Sequence, residues 1–249
     1  MKQCTKPAAL IAVCSMGSMV ATSMAMPNST VVGFDGGSDG GFQGNAFYEA
    51  TGGNPDGRAR HFNDSFFNEL RTGAIGETTN PDFLGDYSPF NDITFSFDIK
   101  TDSLTDFIGN QIARPIGVKF IDRDIQGGSG SSGVFFEMGI QGVNFTPDWT
   151  TLSVTISDPT QVGLPAGWIG FGDEDPNTFE PILPAGATFA SVLASVDEVH
   201  ITGAVPGFFF GNAFSDVSID NVTLLVPTPA TASLLGLGGL LAARRRRAR

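Results

Sequence analysis

Between residues 92 and 100 the chain reads Asp-Ile-Thr-Phe-Ser-Phe-Asp-Ile-Lys, with apolar and polar positions alternating. Successive side chains on a strand point to opposite faces. Ile93, Phe95, Phe97 and Ile99 therefore predict one buried face of a sheet. The same two-residue period marks residues 152–156 and 217–224, and apolar runs at 116–121 and 134–140 predict further strands. Clusters of Gly, Pro, Asn and Asp, such as 52–57 and 127–133, separate these segments and read as turns. Only residues 187–196 carry a possible helical turn. Many short strands joined by polar loops predict an all-β chain, a single antiparallel β-sandwich of the jelly-roll kind with about ten strands. No repeat at a period of 20 to 50 residues points to a propeller or solenoid.

The two ends follow a different rule. Residues 1–26 hold Lys2 and Lys6, an apolar stretch from Ala8, small residues up to Ala25, and no acid. That layout is a secretory signal peptide with cleavage expected after about Ala25. Residues 227–249 hold five Arg and no acid. Val226, Pro227, Thr228 and Pro229 precede an apolar run over residues 230–243, which ends at Arg244, Arg245, Arg246 and Arg247. Fourteen residues of helix cover ~21 Å, short of a ~30 Å hydrocarbon core. The expectation is a short terminal membrane span after a Pro-marked hinge, its Arg cluster held on the cytoplasmic side. An ordinary tail anchor remains open on the same layout.

At these residues the chain resembles the PEP-CTERM sorting signal of Gram-negative bacteria, with Thr228 where that family usually has Glu. The resemblance implies an exosortase-type partner and transient passage through the inner membrane. It also implies tail removal on the way to the cell surface or extracellular matrix. The expected organisation is a signal peptide at 1–26, a β-sandwich at 27–226 and a sorting signal at 227–249.

Charge narrows the function classes. Residues 27–226 hold seven of the fourteen basic residues and all twenty-six acids, a net −19. That excludes nucleic-acid backbones as partners and disfavours anionic lipid. Cys4 and Cys14 both lie in the expected signal peptide, so the trimmed chain has no disulfide, thiolate zinc site or cysteine nucleophile. Two histidines, His61 and His200, leave no His-rich metal site. The aromatic content is 22 Phe against 2 Tyr and 2 Trp, which predicts a core built from rings without polar handles.

A second resemblance rests on the order of short segments. Phe34-Asp35-Gly36 comes first, then residues 83–87, then Thr94 to Asp98. Asp148-Trp149, residues 196–203 and Ile219-Asp220-Asn221-Val222 follow. This order is similar to laminin-B-type and galactose-binding-like jelly rolls, which include carbohydrate-binding modules. The resemblance implies a structural calcium where first and last segments meet, with Asp35 and Asp220 as ligands and Asp39 beside them. The same acids also suit a solvated loop and a strand end. The acidic stretch 173–180 lacks the Gly and distal acid of a calcium-binding loop and reads as solvated. Trp168, after Leu164-Pro-Ala-Gly167, is the candidate exposed ring for stacking on a sugar, core packing being the alternative. His200, in an alternating segment, reads as structural. No nucleophile elbow, zinc-binding helix motif or phosphate loop occurs. Two functions remain: a non-catalytic surface or matrix protein that binds exopolysaccharide, and a glycan-acting hydrolase using an unrecognised carboxylate pair.

Overall fold

The computed structural model describes residues 29–128 and 130–227. In chain order the strands are β1 (Ser29–Val32), β2 (Gln43–Gly44), β3 (Phe47–Glu49), β4 (Arg58–Ser65) and β5 (Glu69–Thr72). Next come β6 (Ile93–Asp106), β7 (Arg114–Gly127), β8 (Gly130–Gln141), β9 (Thr150–Ile156) and β10 (Trp168–Phe171). Then follow β11 (Asp173–Glu174), β12 (Pro181–Ile182), helix α1 (Phe189–Leu193), β13 (Glu198–Thr202) and β14 (Ala213–Leu225). All pairings are antiparallel.

Sheet I has the order β3-β4-β14-β6-β9, with β1 extending the β4 position along the far half of β14. Sheet II has the order β10-β8-β7-β13-β5-β2, and β11 with β12 forms a small hairpin. The chain changes sheets after β1, β2, β4, β5, β6, β8, β9 and β13, repeatedly crossing between the layers as expected of a jelly roll.

The period-two residues meet between the sheets. Ile93, Phe95, Phe97 and Ile99 are fully buried, and so is Phe120 of the facing sheet. The Phe95 and Phe120 rings stand 6.0 Å apart at 82°, an edge-to-face contact across the sandwich. Phe42, Phe83 and Phe189 continue this aromatic core. Helix α1 closes one margin, capped by Thr188, whose hydroxyl accepts the Ser191 N–H while the Ser191 hydroxyl accepts the Thr188 N–H.

Two local expectations change. The Gly-Ser stretch 127–133 is mostly strand: β7 runs to Gly127, which pairs with Gly130 at the start of β8. Val226 is 1 % exposed and belongs to the core at the end of β14. Pro227 is the last described residue, so Thr228, Pro229 and Arg244–Arg247 lie outside the described residues, as does the N-terminal signal. Among the described residues no helix is long and apolar enough to cross a membrane.

Candidate functional site

Register places the outward side chains of sheet I in rows. Phe47 on β3 faces Arg60 on β4, Phe62 on β4 faces Asp216 on β14, and Asp64 faces Phe214. Phe47, Phe62 and Phe214 therefore step diagonally across three neighbouring strands, about 7 Å apart by sheet geometry. They are 61 %, 60 % and 50 % exposed. A groove of about 440 Å³ lies along Phe62, Phe214, Asp64, Asp216 and Ser103. A second, of about 350 Å³, lies beyond Asn63 and Asp64 against Phe47.

The polar groups between the rings are fixed by pairing. Arg60 donates from Nε and Nη2 to the two Asp216 oxygens, both at 2.7 Å, in a bidentate fork. Its guanidinium carbon sits 4.8 Å from the Phe62 ring centroid. Glu49 takes Arg58 Nε at 2.7 Å and Arg60 Nη1 at 3.3 Å. Burial pushes the Glu49 carboxyl up, but the Arg58 and Arg60 hydrogen bonds outweigh it and hold the group below its usual range. The result is a pre-organised strip of flat apolar rings edged by donors and acceptors.

At one end of this face a loop covers the sheet. Asp98 and Asp220 are cross-strand partners, like charges side by side, and Asp220 is fully buried. Asp220 Oδ2 accepts the Asn54 N–H at 2.5 Å and Oδ1 the Asn221 N–H at 2.7 Å. Asp98 accepts the Thr151 hydroxyl at 2.5 Å, with Asn54 Nδ2 at 3.0 Å and Asn221 Nδ2 at 2.9 Å. Burial raises the Asp220 pKa to about 6, opposed by its two N–H donors and reinforced by Asp98 and Asp35. Gly53 permits the covering loop, since a Cβ there would stand 2.7 Å from Asp220 Oδ2 and 1.6 Å from the Gly57 carbonyl.

The structure thus brings Asp35 and Asp220 into one neighbourhood. Asp35 is exposed, and a Cβ on Gly33 would be 3.6 Å from each of its carboxylate oxygens and 3.7 Å from Asn221 Oδ1. Asp98, Asn54 and Asn221 complete the group, and the sequence reading missed all three. Their only signal was polarity in otherwise apolar strands or in a Gly-rich loop. Asp39 is engaged elsewhere, by the Gly41 N–H at 3.0 Å and the Thr78 hydroxyl at 2.9 Å, which hold its carboxyl low. No group of three or more His, Cys, Asp or Glu among the described residues is gathered tightly enough to hold a metal ion.

Trp168 corrects the exposed-ring expectation. It is 8 % exposed and packs on Phe120, Phe136 and Phe189 at 6.0, 5.2 and 5.0 Å. Gly167, at φ 85°, turns the chain so that Trp168 pairs with Phe136 on the inner face. The ring borders a cavity of about 390 Å³ at the sandwich margin, beside Asp158 and Gln161. Trp149 is half-buried.

The outer face of sheet II carries a separate ionic cluster. His200 Nε2 lies 2.8 Å from Glu198, and its Nδ1 lies 3.7 Å from Glu69. Arg71 pairs with Glu69 at 2.5 Å and with Glu77, while Arg123 reaches Glu198 at 3.4 Å. Burial disfavours the charged Glu69, yet His200 and Arg71 hold its pKa at about 2. Burial also works against a charged His200, but Glu198 and Glu69 prevail and raise its pKa. All three glutamates of the cluster, Glu69, Glu77 and Glu198, are held below the usual carboxylate range by these pairings, which suits an ion-pair network.

No protein-family model and no curated protein matches the chain. Among solved structures, it is similar to the CBM22-1 and GH10 modules of Clostridium thermocellum endo-1,4-β-D-xylanase 10B complexed with xylohexaose. Identity there is 12 %, covering 80 % of this chain and 28 % of that one, with a TM-score of 0.43. It is also similar to the C-terminal family 22 carbohydrate-binding module of the same enzyme, at 11 % identity, 81 % and 95 % coverage and TM-score 0.41. A third is the family 30 carbohydrate-binding module of the C. thermocellum cellulosomal cellulase CEL9D-CEL44B, at 12 %, 80 % and 94 %, and 0.36. Fold and face together define an antiparallel β-sandwich domain with an aromatic, ion-paired outer surface.

Proposed function

We propose that this domain is a non-catalytic polysaccharide-binding module of the cell surface or extracellular matrix. The observation that carries the reading is the diagonal of Phe47, Phe62 and Phe214 beside the fixed Arg60–Asp216 fork. Exposed rings offer apolar faces to the C–H side of sugar rings, and the paired charges offer donors and acceptors to hydroxyl groups. The net −19 favours a neutral glycan over an acidic one. The two basic-tipped, acid-free ends support export, exosortase-type processing and surface display.

Calcium belongs to the same proposal as a structural ion. Asp35, Asp98 and Asp220 with the Asn54 and Asn221 amides are oxygen donors of the kind a hard cation prefers, and binding would have to draw these carboxylates closer than they stand. The hydrolase alternative has less support. Asp220 has a pKa of about 6, but it is fully buried beneath the Asn54 loop.

Affinity electrophoresis in gels containing soluble neutral or acidic polysaccharides tests the reading. Retardation by a neutral glycan is expected, with at least about tenfold weaker binding in Phe62→Ala/Phe214→Ala, one ring's burial corresponding to roughly 1.5–3 kcal/mol. No retardation in any gel, or undiminished retardation in the double variant, overturns the site. Release of reducing sugar, lost on a single Asp or Glu substitution, would favour the hydrolase.

A further inference from the structure

The sandwich has one apolar end. β4 and β6 finish there and β7 and β14 begin there, since Ala213 pairs with both Ser65 and Asp106. Three loops share this end: residues 65–68, 107–113 and 203–212. None contains Asp, Glu, Lys or Arg, although residues 27–226 hold twenty-six acids and seven basic residues. At their tips Phe66, Phe107, Ile108, Phe208 and Phe209 are 48 %, 77 %, 69 %, 62 % and 79 % exposed.

The crown is held in place from beneath. Arg114 is 7 % exposed. It donates from Nη1 to the Phe66 carbonyl at 2.5 Å and from Nη2 to the Gly211 carbonyl, tying two loops together. Its guanidinium carbon is 5.3 Å from the Phe210 ring centroid. Phe66 contacts Phe209 at 5.5 Å, and Phe208 contacts Phe210 at 4.6 Å. The Asp106 carboxylate at the base accepts the Ile108 and Asn110 N–H groups and Asn110 Nδ2, which fixes the turn that carries Phe107 and Ile108.

We propose that this end inserts its phenylalanines into the surface of a neutral, zwitterionic lipid layer. Three observations select that occupant. Phe carries no polar handle, whereas the hot-spot residues that carry most protein–protein binding energy are enriched in Trp, Tyr and Arg, which also fix a partner by hydrogen bonds. Separate loop tips without charge suit a deformable apolar medium, where a buried charge is costly. The net −19 repels an anionic bilayer and equally a second copy of the chain. Ser29 and Leu225 pair at the opposite end of β14, about 40 Å away by strand rise, so the crown lies far from the first and last described strand positions. This surface is distinct from the ring diagonal on sheet I.

The test uses the full chain with phosphatidylcholine vesicles and a Phe209→Trp reporter. The emission added by that residue is expected to shift to the blue on vesicle addition and to be quenched by brominated phosphatidylcholine. Phe107→Asp/Phe208→Asp is expected to lower vesicle partition at least tenfold while its melting temperature stays near the parent's. Vesicle flotation with unshifted emission overturns the proposal, because the C-terminal apolar segment alone would then carry binding. A shift that grows with protein concentration without vesicles overturns it in favour of a second copy. Tighter binding to anionic than to zwitterionic vesicles also overturns it. The glycan site stands or falls separately on its gel assay.

Discussion

The backbone N–H of Asn54 donates to Asp220 Oδ2 at 2.5 Å, joining a Gly-rich loop near the start of the domain to its last strand across 166 residues. The contact encloses Asp220 next to Asp98 and near Asp35. A carboxyl with a raised folded pKa binds its proton more tightly in the folded state. Its ionisation therefore lowers stability as pH climbs from about 4 to about 6, by roughly 1–2 kcal/mol after solvent screening.

Under the calcium proposal, a cation at that position would offset the loss. Above pH 6, millimolar calcium is expected to raise the melting temperature more than sodium chloride at equal ionic strength. At a hundredfold excess over the dissociation constant the gain is ~2.7 kcal/mol. Asp220→Ala should abolish most of the response. Asp175→Ala should leave it, since that carboxylate accepts only the Asn177 and Thr178 N–H groups of its own turn. Equal responses to the two salts would return Asp35 and Asp220 to purely structural roles.

His61 works with the opposite sign. It is fully buried, with Nδ1 2.9 Å from Asn45 Oδ1 and no partner for Nε2. Burial lowers its pKa to about 4. The neutral ring's contribution is complete above the unfolded value near 6.5 and is lost as pH falls toward 4, by about 3 kcal/mol. Denaturant melts of wild type and His61→Gln between pH 7 and pH 4 should converge as acid removes the wild-type advantage. Parallel curves would show that His61 does not titrate in this range.

His200 gives a third pH dependence. Its folded pKa is raised, so the stability it contributes is complete below about 6.5 and disappears as pH rises through the folded value. Glu198→Gln is expected to bring the imidazole pKa down, readable in NMR as a move of the His200 ring-proton titration midpoint to lower pH. An unchanged midpoint would assign the shift to Glu69 alone.

Phe120 joins the two sheets through Phe95, Tyr87 and Trp168. Phe120→Ala removes all three contacts and should cost about 3–5 kcal/mol, measured as a lower denaturant midpoint. A loss under about 1 kcal/mol would mean the aromatic core repacks freely.

The long strands were legible because their information is local. The alternation of Ile93, Phe95, Phe97 and Ile99 states which side is buried, and β6 realises it. Residues 217–224 announced β14 in the same way. Trp168 was misread because its flanking Pro and Gly suggest an exposed loop, whereas Gly167 turns the ring inward onto Phe136. The aromatic diagonal was invisible, since Phe47, Phe62 and Phe214 lie on strands brought together only by pairing.

By itself, the sequence determined the β-sandwich class, the acidity of the domain and the basic apolar ends. Those properties depend on composition and on a two-residue period, both carried by neighbouring positions. Only the tertiary structure decided that Asp39 bonds elsewhere, that Asp98 and Asn54 adjoin Asp220, and that uncharged loops from three parts of the chain form one apolar end. Register and sheet order set those contacts, and they depend on which distant strands pair. A one-residue slip of β4 against β14 would send Phe62 to the core and His61 to the surface.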